Sequence, residues 1–542
     1  MNLHVKDSRL SITPMGGVGE IGSNMTVFET NEERIIVDYG ILFPYEDFFD
    51  LNYLIVDIEQ LDKSKPTQIF FTHGHEDHIG AAVHILTEMP DAKIHAPDFA
   101  AKLLRRKFDE AKLPAKINVY SKDDHLEFGE FELHPIHVTH SIPHTFGLIV
   151  KDKAKEFSLL FISDFKYDMN PLYEEPFDIE KVKLLFNSAE KRYCFLDSTN
   201  ILSPNKTLSE RDLLEDFDEI LSRKQRIFVT MFSSNIWRMR TLFEMAKKHN
   251  KHIVPVGRSL FSYLEAAEAS GLIEKDMSVY RESEQLNNHG ADNLIIMLTG
   301  CQGDHFGALR RVTSGEHKYF KINNRDLFLF SSKSIPGNEK KIYRIYNDIA
   351  MKGAEIITAS ERNIHASGHP GQQDLLALLS EINPTHYVPI HGEVFFLNRH
   401  IKFIKDNTKA IPILMKNFDT IALGSDFSFK IVNQKASEPR LIHSRKIEIE
   451  REKISERRKM ACNGAIFISV SKKTRSLTLT HKGLPKHIDS YEEDFLDILS
   501  QYFFTDMKNK DNDYAGEKLR IKARQTYNNI LGYKPIVSVH VQ

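Results

Sequence analysis

The chain of 542 residues has few of the features that mark disulfide-rich, membrane-spanning or secreted proteins. Its three cysteines, Cys194, Cys301 and Cys462, lie far apart and form no CxxC pair, so the sequence predicts neither a disulfide framework nor a thiolate zinc site. No run of about 18 uninterrupted apolar residues is present, which argues against a membrane-spanning helix. The opening residues MNLHVKDSRLSITPMGG lack the charged and then apolar pattern of a secretory signal, and we therefore expect a cytoplasmic protein.

Positive charge is not in excess either. The 72 lysines and arginines stand against 75 aspartates and glutamates, which gives a formal net charge of -3 and argues against a protein that coats nucleic acid. A nuclease can nevertheless line one cleft with basic side chains while acidic residues elsewhere cancel the total. The content of 41% hydrophobic and 27% charged residues is typical of a globular protein, and the length predicts two or three domains.

The chain changes its pattern several times. Its first 200 or so residues alternate short β-branched or aromatic runs with polar joints, as a layered α/β domain does. From about Leu202 longer helical patterns predict an inserted α/β unit, and beyond Pro336 and Gly337 the chain returns to the histidine-rich HYVPIHGE. The charged run RKIEIEREKISERRKM predicts a helical linker, and the residues from Gly464 onward suffice for a small α/β domain.

A cluster of potential metal ligands, His73-Gly74-His75-Glu76-Asp77-His78, directly follows an apolar strand. Histidines two apart point the same way on an extended loop, whereas Asp77 and His78 begin a helix, so the four ligands can face two neighbouring metals. Imidazole and carboxylate ligands without thiolates suit zinc with an open position for water. For any one of these residues alone, a polar loop that caps a helix is the better interpretation. The set as a whole favours metal binding.

Three further candidates end other predicted strands, namely His140 in HVTHSIPH, Asp164 in FISDFKYD and His391 in YVPIHGE. A single carboxylate such as Asp164 can bridge two ions about 3.5 to 4 Å apart with a hydroxide held between them. That hydroxide is the expected nucleophile.

The glycine-rich segment Gly16-Gly17-Val18-Gly19-Glu20-Ile21-Gly22 allows two interpretations. Its glycines are spaced as in a dinucleotide or phosphate loop, but no ribose-binding acidic residue follows at the expected distance. We therefore predict a tight structural turn beside the metal site.

Twelve motifs in a fixed order cover most of residues 12 to 395, and they are GGVGEIG, VDYG, THGHEDHIG, THSIP, SDFKYD, DSTN, FSSN, GRSL, TGCQG, IPGNE, HASGH and PIHGE. HxHxDH alone marks the metallo-β-lactamase superfamily, whereas the ordered set resembles the ribonuclease J family of its β-CASP branch. The resemblance implies an α/β fold with a metallo-β-lactamase αββα sandwich, an inserted β-CASP α/β domain and a small C-terminal α/β domain. The expected boundaries are 1–202 for the first part of the metallo-β-lactamase domain, 203–364 for the β-CASP domain, 365–442 for completion of the first domain, 443–463 for a linker helix and 464–542 for the C-terminal domain.

The resemblance also implies residue roles. His73, His75 and His140 would hold one zinc ion, Asp77, His78 and His391 a second, and Asp164 would bridge the two, with manganese or magnesium as alternatives. The catalytic residues would be Asp77, Asp197 of DSTN and His369, which can donate a proton to a phosphate oxygen or to the leaving 3′-oxygen. Substrate phosphates would bind Ser233, Ser234, Asn235, His365, Ala366, Ser367, Gly368 and His369. In isolation, HASGH could equally be a turn before a capped helix.

Two residues depart from the family pattern. His144 stands in THSIPH where the family usually has Asp, and Ser163 stands before Asp164 where Gly is common. Neither is a predicted metal ligand. His144 could change the surroundings of the ligands or the local charge.

The resemblance implies a metal-dependent hydrolase that cuts single-stranded RNA internally and from a 5′-monophosphate end in the 5′-3′ direction, and that acts in rRNA processing and mRNA decay. The expected partners are RNA, further copies of the chain in a homodimer or homotetramer, and an RNA-degrading complex, without a membrane. The alternatives are a strictly endonucleolytic RNA 3′-end processor, a DNA-directed relative and a catalytically weak RNA-binding scaffold. A small-molecule lactamase or thioesterase is disfavoured because the long insert and HASGH would have no role.

Overall fold

The computed structural model describes residues 3–44, 51–284, 291–304, 307–335, 337–444 and 447–542. The chain divides into two compact units, one of residues 1–42 with 55–439 and the other of residues 43–54 with 440–542. Pro336, in the expected Pro-Gly joint and the IPGNE motif, lies outside the described residues, as do residues 445 and 446 of the predicted linker. Among the helices of the described ranges, none is long and apolar enough to cross a membrane.

The chain up to the insert forms β1 (Leu10–Gly16), β2 (Val18–Gly19), β3 (Met25–Glu29), β4 (Arg34–Val37), β5 (Ile41–Leu42), β6 (Tyr53–Ile55), β7 (Thr67–Phe70), α1 (Glu76–Ile79), α2 (Ala82–Glu88), β8 (Lys93–Pro97), α3 (Asp98–Ala111), β9 (Ile117–Tyr120), β10 (Leu126–Phe128), β11 (Phe131–Val138), β12 (Thr145–Asp152), β13 (Phe157–Ile162), α4 (Ile179–Phe186) and β14 (Lys191–Asp197). The insert forms α5 (Leu214–Leu221), β15 (Ile227–Thr230), α6 (Ile236–Lys248), β16 (His252–Val256), α7 (Arg258–Ala269), β17 (Leu294–Leu298), α8 (Ala308–Thr313), β18 (Leu327–Phe330), α9 (Glu339–Ala350) and β19 (Glu355–Thr358). The first unit is completed by α10 (Gln372–Ile382), β20 (His386–Ile390), β21 (Gly392–Glu393), α11 (Val394–Asn407), β22 (Ile411–Pro412), β23 (Asp419–Leu423) and β24 (Phe429–Asn433).

Two sheets of the first unit face each other. One has eight strands in the order β24-β23-β1-β3-β4-β7-β8-β9, and the other has seven in the order β10-β11-β12-β13-β14-β20-β22. Between them, the rings of Phe28 and Phe161 pack edge to face with centroids 5.9 Å apart. Helices α4, α10 and α11 cover the outer face of the seven-stranded sheet, and α3 packs on β8 and β9 of the other sheet. The predicted αββα sandwich is therefore confirmed.

The insert forms a third sheet of five strands in the order β16-β17-β15-β18-β19. All of its pairings are parallel, and β15, β17 and β18 are buried along their whole length, as strands covered on both faces are. Helices α8 and α9 pack on one face of this sheet. This is the α/β insert that the sequence predicts.

Strand directions bring the ends of several strands to common edges. Strands β4 and β7 are parallel, so Asp38 and His73, which follow them, lie at one edge of the first sheet. Strands β13, β14 and β20 are parallel to one another, and β11 runs the same way because β11 and β13 are both antiparallel to β12. The residues that follow these four strands therefore meet at one edge of the second sheet. Rigid strand ends of this kind are a common position for a functional site.

The second unit contains β25 (Arg440–His443), β26 (Ile447–Glu448), α12 (Arg451–Asn463), β27 (Ala465–Ser471), β28 (Ser476–Lys482), α13 (Glu492–Gln501), α14 (Asn512–Leu531) and β29 (Ile536–Val541). Strand β27 lies between β28, its antiparallel neighbour, and β29, its parallel neighbour. One face of this sheet packs against α13 and α14 through Phe495, Leu519 and Tyr527. The small C-terminal α/β domain of the predicted fold is thus present.

The linker helix predicted for 443–463 is wrong in its first part. Ile447–Glu448 form β26, which pairs with β25, and α12 begins only at Arg451. The alternating IEIE sequence suits a strand better than a helix. The 20-residue helix α14 is not predicted from the sequence, since small residues such as Ala515 and Ala523 occupy its buried stripe and weaken the apolar periodicity.

His144, one of the two departures from the family pattern, caps a helix. Its backbone has a φ of 54°, and its Nδ1 accepts a hydrogen bond from the backbone N–H of Phe99 at 3.3 Å. Phe99 lies in the first turn of α3, whose own N-cap residue, Pro97, provides no side-chain cap. Burial lowers the pKa of His144 below its ordinary 6.5, which keeps the imidazole neutral and able to accept. The side chain therefore satisfies an N–H group that the helix itself cannot.

We predict that His144→Ala lowers the free energy of unfolding by about 1 kcal/mol at neutral pH, because a helix N–H loses its acceptor. The pKa of His144 is lower in the folded than in the unfolded chain, so this contribution is present above pH 6.5 and is lost as the pH falls through the folded-state pKa. Urea unfolding at neutral and at mildly acidic pH measures both effects. His144→Asn is the matched control, since asparagine keeps a short acceptor and tolerates positive φ. Equal stability of wild type and His144→Ala at neutral pH would contradict the capping role.

Candidate metal centre

Three histidine nitrogens and one carboxylate oxygen converge where β7, β11 and β13 end. His75 Nδ1 lies 3.1 Å from His73 Nε2 and 3.2 Å from His140 Nε2. Asp164 Oδ2 lies 3.8 Å from His73 Nε2 and 3.6 Å from His140 Nε2. Ligand atoms about 2.0 to 2.1 Å from a tetrahedral zinc ion are about 3.3 Å apart, so these four atoms fit the corners of such a site.

A second group lies beside the first. His78 Nε2 is 3.5 Å from Asp77 Oδ2 and 3.1 Å from Asp164 Oδ1, and His391 Nε2 is 3.4 Å from Asp77 Oδ2. Asp164 therefore presents Oδ2 to the first group and Oδ1 to the second, as a bridging carboxylate does. The structure brings together every residue that the sequence analysis names as a metal ligand, namely His73, His75, Asp77, His78, His140, Asp164 and His391.

Burial and mutual proximity set the protonation of these groups. Burial lowers the pKa of His75 to about 4 and those of His73 and His140 well below 6.5, so these imidazoles are neutral. Burial acts in the same direction on His391, but Asp164 and other carboxylates outweigh it and raise that pKa to about 10. A cation bound among these groups would replace the proton of His391, since metal ligands must be deprotonated.

Asp38 orients two of the candidate ligands, a role that its sequence motif does not predict. Its Oδ2 accepts hydrogen bonds from His78 Nδ1 at 2.7 Å and from the Thr72 hydroxyl at 2.8 Å, and its Oδ1 accepts from the Thr72 N–H at 2.7 Å. Because the Thr72 hydroxyl donates to Asp38, it accepts from His73 Nδ1, which lies 2.9 Å away. These bonds use the Nδ1 atoms, so the Nε2 atoms of His73 and His78 stay directed toward the cluster, where Asn24 Nδ2 also lies 3.1 Å from His78 Nε2. The position of Asp38 in the chain could have indicated this role. VDYG lies at the end of β4, and β4 is the neighbour of β7, which THGHEDH follows.

Glycines allow close approach of the backbone at two points. A Cβ atom on Gly40 would lie 1.6 Å from the carbonyl oxygen of Asp77, and one on Gly368 would lie 2.5 Å from Cε1 of His140. The second contact accompanies a hydrogen bond in which His140 Nδ1 donates to the Gly368 carbonyl at 2.6 Å. The HASGH segment therefore lies directly against a predicted metal ligand.

Asp197 and His369 form a pair at the rim of the cluster. His369 Nδ1 donates to Asp197 Oδ2 at 2.6 Å and lies 4.0 Å from Asp164 Oδ2. Burial alone would lower the pKa of His369, but Asp197 outweighs it and raises that pKa above 6.5. The carbonyl of His369 accepts from the Thr207 hydroxyl at 2.8 Å, which holds this part of HASGH in place. A protonated imidazole beside a bridging carboxylate can act as a general acid.

The other predicted substrate residues lie on two separate connecting segments. Ser233, Ser234 and Asn235 join β15 to α6, and Asn235 Oδ1 caps that helix by accepting from the Arg238 N–H at 3.0 Å. His365, Ala366 and Ser367 precede Gly368 and His369 between β19 and α10. His365 Nδ1 is buried and has no hydrogen-bond partner within the described part of the chain. Burial lowers the pKa of His365 to about 3, so its ring is neutral.

The glycine-rich segment forms the tight turn that the sequence analysis predicts. Gly17 and Gly19 have φ values of 82° and 93°, and Val18–Gly19 pair with Gly392–Glu393, which directly follow His391. The turn therefore lies beside the cluster.

Three family models match this chain. They are described as Ribonuclease J, beta-CASP domain, over residues 224–349, Metallo-beta-lactamase superfamily, over residues 18–151, and Zn-dependent metallo-hydrolase RNA specificity domain, over residues 355–414. The first lies in the five-stranded insert, and the second contains five of the seven converging residues.

Curated relatives extend the similarity to most of the chain. Ribonuclease J of Helicobacter pylori strain J99 is 32% identical over 88% of this chain and 70% of its own length. Ribonuclease J 1 of Streptococcus pyogenes serotype M3 is 33% identical over 78% and 76%, and ribonuclease J of Sinorhizobium meliloti is 28% identical over 99% and 98%. A solved protein of unknown function from Enterococcus faecalis V583 shares the fold, with a TM-score of 0.52 at 16% identity over 76% of this chain and 100% of that one.

We predict that Asp38→Asn weakens binding of a divalent metal by about 10- to 100-fold, because the amide cannot accept from Thr72 and His78 together. Competition with a chelator measures the affinity, and circular dichroism checks the fold. Asp152→Asn is the matched control, since Asp152 is equally buried and accepts from the Phe157 N–H away from the cluster. Wild-type metal affinity in Asp38→Asn would contradict the orienting role.

Proposed function

Because the chain belongs to the ribonuclease J family, we propose that it is a metal-dependent ribonuclease that cuts single-stranded RNA internally and releases mononucleotides from a 5′-monophosphate end. The observation that carries this proposal is the convergence of six other candidate ligand side chains around Asp164, with the His369 imidazole 4.0 Å from the same carboxylate. A nuclease needs this combination of a metal-activated nucleophile and a proton donor for the leaving group.

The donor set fits two divalent ions. His73, His75 and His140 would hold one ion, Asp77, His78 and His391 the other, and Asp164 would bridge them. Nitrogen and oxygen donors without thiolate suit zinc, with manganese or magnesium as alternatives. When bound, two such ions supply a nucleophilic hydroxide at neutral pH and neutralise charge that develops on the phosphate.

His369 would serve the leaving group. Its Nδ1 is committed to Asp197, so Nε2 is the nitrogen that can donate to substrate. As the bond between phosphorus and the 3′-oxygen breaks, the proton on Nε2 passes to that oxygen, which leaves a 3′-hydroxyl on one product and a 5′-phosphate on the other. Asp197 supports this role by raising the pKa of His369 against the effect of burial.

The FSSN and HASGH segments would bind phosphates. Ser233 and Ser234 precede the 13-residue helix α6, whose first N–H groups and helix dipole favour an anion. Since His365 is neutral, its contribution would be a hydrogen bond rather than a charge. A pocket for the terminal phosphate at these segments would explain release of mononucleotides from a 5′ end.

We extend the proposal to the remaining assignments. The domains would end at the boundaries given above, with α12 as the linker in place of the full 443–463 helix. The protein would act in the cytoplasm in rRNA processing and mRNA decay, as a homodimer or homotetramer or within an RNA-degrading complex. The complete set of converging ligands disfavours a catalytically weak scaffold, because a scaffold would not need them.

We predict early release of labelled mononucleotide from single-stranded RNA that carries a 5′-monophosphate and a 5′ label, and loss of this release in Asp77→Ala, because one ligand of the second ion is removed. Denaturing gels follow the products, with 5′-triphosphate RNA and single-stranded DNA as comparison substrates. Asp91→Ala, at an exposed position, is the control and should behave as wild type. Internal fragments alone would indicate an endonuclease, and no cleavage with zinc, manganese or magnesium would support the scaffold.

We predict that His369→Ala slows cleavage of ordinary RNA by about 10²- to 10⁴-fold through loss of a general acid. RNA with sulfur in place of the scissile 3′-oxygen should be affected much less, since a thiolate leaves without protonation. Single-turnover rates on the two substrates give the comparison, with His249→Ala as a control because His249 pairs with Asp218 in the insert. An equal loss on both substrates would rule out proton donation by His369.

A further inference from the structure

An enclosed ion pair lies behind the two segments to which phosphate binding is assigned. Arg238 Nε and Nη2 donate to Oε2 and Oε1 of Glu210, both at 2.8 Å. Arg238 is 0% exposed and Glu210 is 4% exposed. Desolvation offsets much of the attraction in such a pair, so its presence is weak evidence for a role in stability. The other hydrogen bonds of Arg238 say more about its role than the ion pair does.

The same guanidinium holds the start of the HASGH segment. Arg238 Nη1 donates to the carbonyl of Ile364 at 2.9 Å and to the carbonyl and hydroxyl of Ser331. The Ser331 hydroxyl in turn donates to the Ile364 carbonyl at 2.7 Å. Ile364 directly precedes His365, and Ser331 follows β18. Arg238 therefore fixes the start of HASGH against the end of β18, a buried strand of the insert.

The pair also holds the FSSN segment. Arg238 lies in the first turn of α6, where its N–H is the donor to the Asn235 cap. The amide of Asn235 also donates to Oε1 of Glu210 at 3.5 Å. Arg238 and Ile364 are 126 residues apart in the sequence. The last residue of FSSN and the residue before HASGH nevertheless both form hydrogen bonds with the ion pair of Arg238 and Glu210.

We propose that Arg238 and Glu210 are positioning residues that set the spacing between FSSN and HASGH and thereby the affinity for the 5′-terminal phosphate of RNA. The inference rests on the proposed function. Neither side chain would touch the phosphate, because the guanidinium is enclosed and donates to protein acceptors. His369 is held separately, by Thr207 and Asp197, so the chemical step should depend little on the pair.

The test compares steady-state cleavage of 5′-monophosphate RNA and 5′-hydroxyl RNA by two variants. Arg238→Lys keeps the charge but lacks the forked donors that reach Glu210, Ser331 and Ile364 together. The double variant Arg238→Met with Glu210→Leu removes the contacts without leaving a buried charge unpaired. For both variants we expect KM on 5′-monophosphate RNA to rise by about 10- to 100-fold, with kcat changed by no more than about threefold. KM on 5′-hydroxyl RNA should stay near the wild-type value.

The chain offers a closely matched control at the opposite ends of the same strands. Arg226 precedes β15, Asp326 precedes β18, and the two form a forked pair with contacts of 2.8 and 2.7 Å. Arg226→Met with Asp326→Leu removes a comparable ion pair from the insert and should retain the wild-type preference for a 5′-monophosphate. Thermal unfolding and metal content are measured on every variant. If the double variant does not fold, the result for Arg238→Lys alone decides whether the inference holds.

Three outcomes separate the inference from its premise. A folded Arg238 variant that keeps the preference for 5′-monophosphate RNA would overturn the inference. Loss of the preference in the Arg226 control as well would also overturn it, since general loosening of the insert would then be the cause. If wild type itself shows no preference, the proposed recognition of the 5′ end fails before the role of Arg238 is reached.

Discussion

The structure of the first unit depends on one electrostatic constraint, the convergence of buried imidazoles and carboxylates on Asp164. The Nε2 atoms of His73 and His140 lie 3.1 and 3.2 Å from Nδ1 of His75, and that one nitrogen can carry at most one proton to share between them. Neutral nitrogens that point at each other without a proton or cation between them are unfavourable in a buried site. A bound cation would make the arrangement favourable, so we expect metal binding and folding at this edge to be linked.

Rigid sheets on both sides of the cluster hold the converging side chains in position. From the eight-stranded sheet, Asp38 and Thr72 fix the orientation of His73 and His78. From the seven-stranded sheet, the Thr199 hydroxyl lies 2.9 Å from His391 Nδ1 at the end of β20. Asp38 follows β4 and Thr199 follows β14, each next to the strand that supplies its ligand, whereas Thr72 follows the same strand as His73. The sandwich thus positions the ligands through neighbouring strands rather than through mobile loops.

The sequence predicts the site better than it predicts its supports. Short motifs at strand ends identify the converging ligands, because histidine and aspartate at these spacings are typical of metal ligands. The alternating and apolar runs predict the layered fold. The prediction for the first part of the linker helix is wrong. The local charge pattern suggested a helix, but these residues form a strand that pairs with β25. The ion pair of Arg238 and Glu210 is not predicted from the sequence, for a different reason. Its partners meet only after folding, and a buried arginine in a helical pattern has no local signature.

The candidate metal centre is also directly connected to HASGH, the proposed substrate segment. His140 Nδ1 donates to the carbonyl of Gly368, the residue before His369. A shift of HASGH would therefore rotate the imidazole of His140, a proposed metal ligand, and would also move His369, the proposed general acid, away from Asp164. Any RNA phosphate bound at HASGH would act on both through the same few peptide units. Because only glycine fits at position 368, this connection depends on the absence of a single Cβ atom.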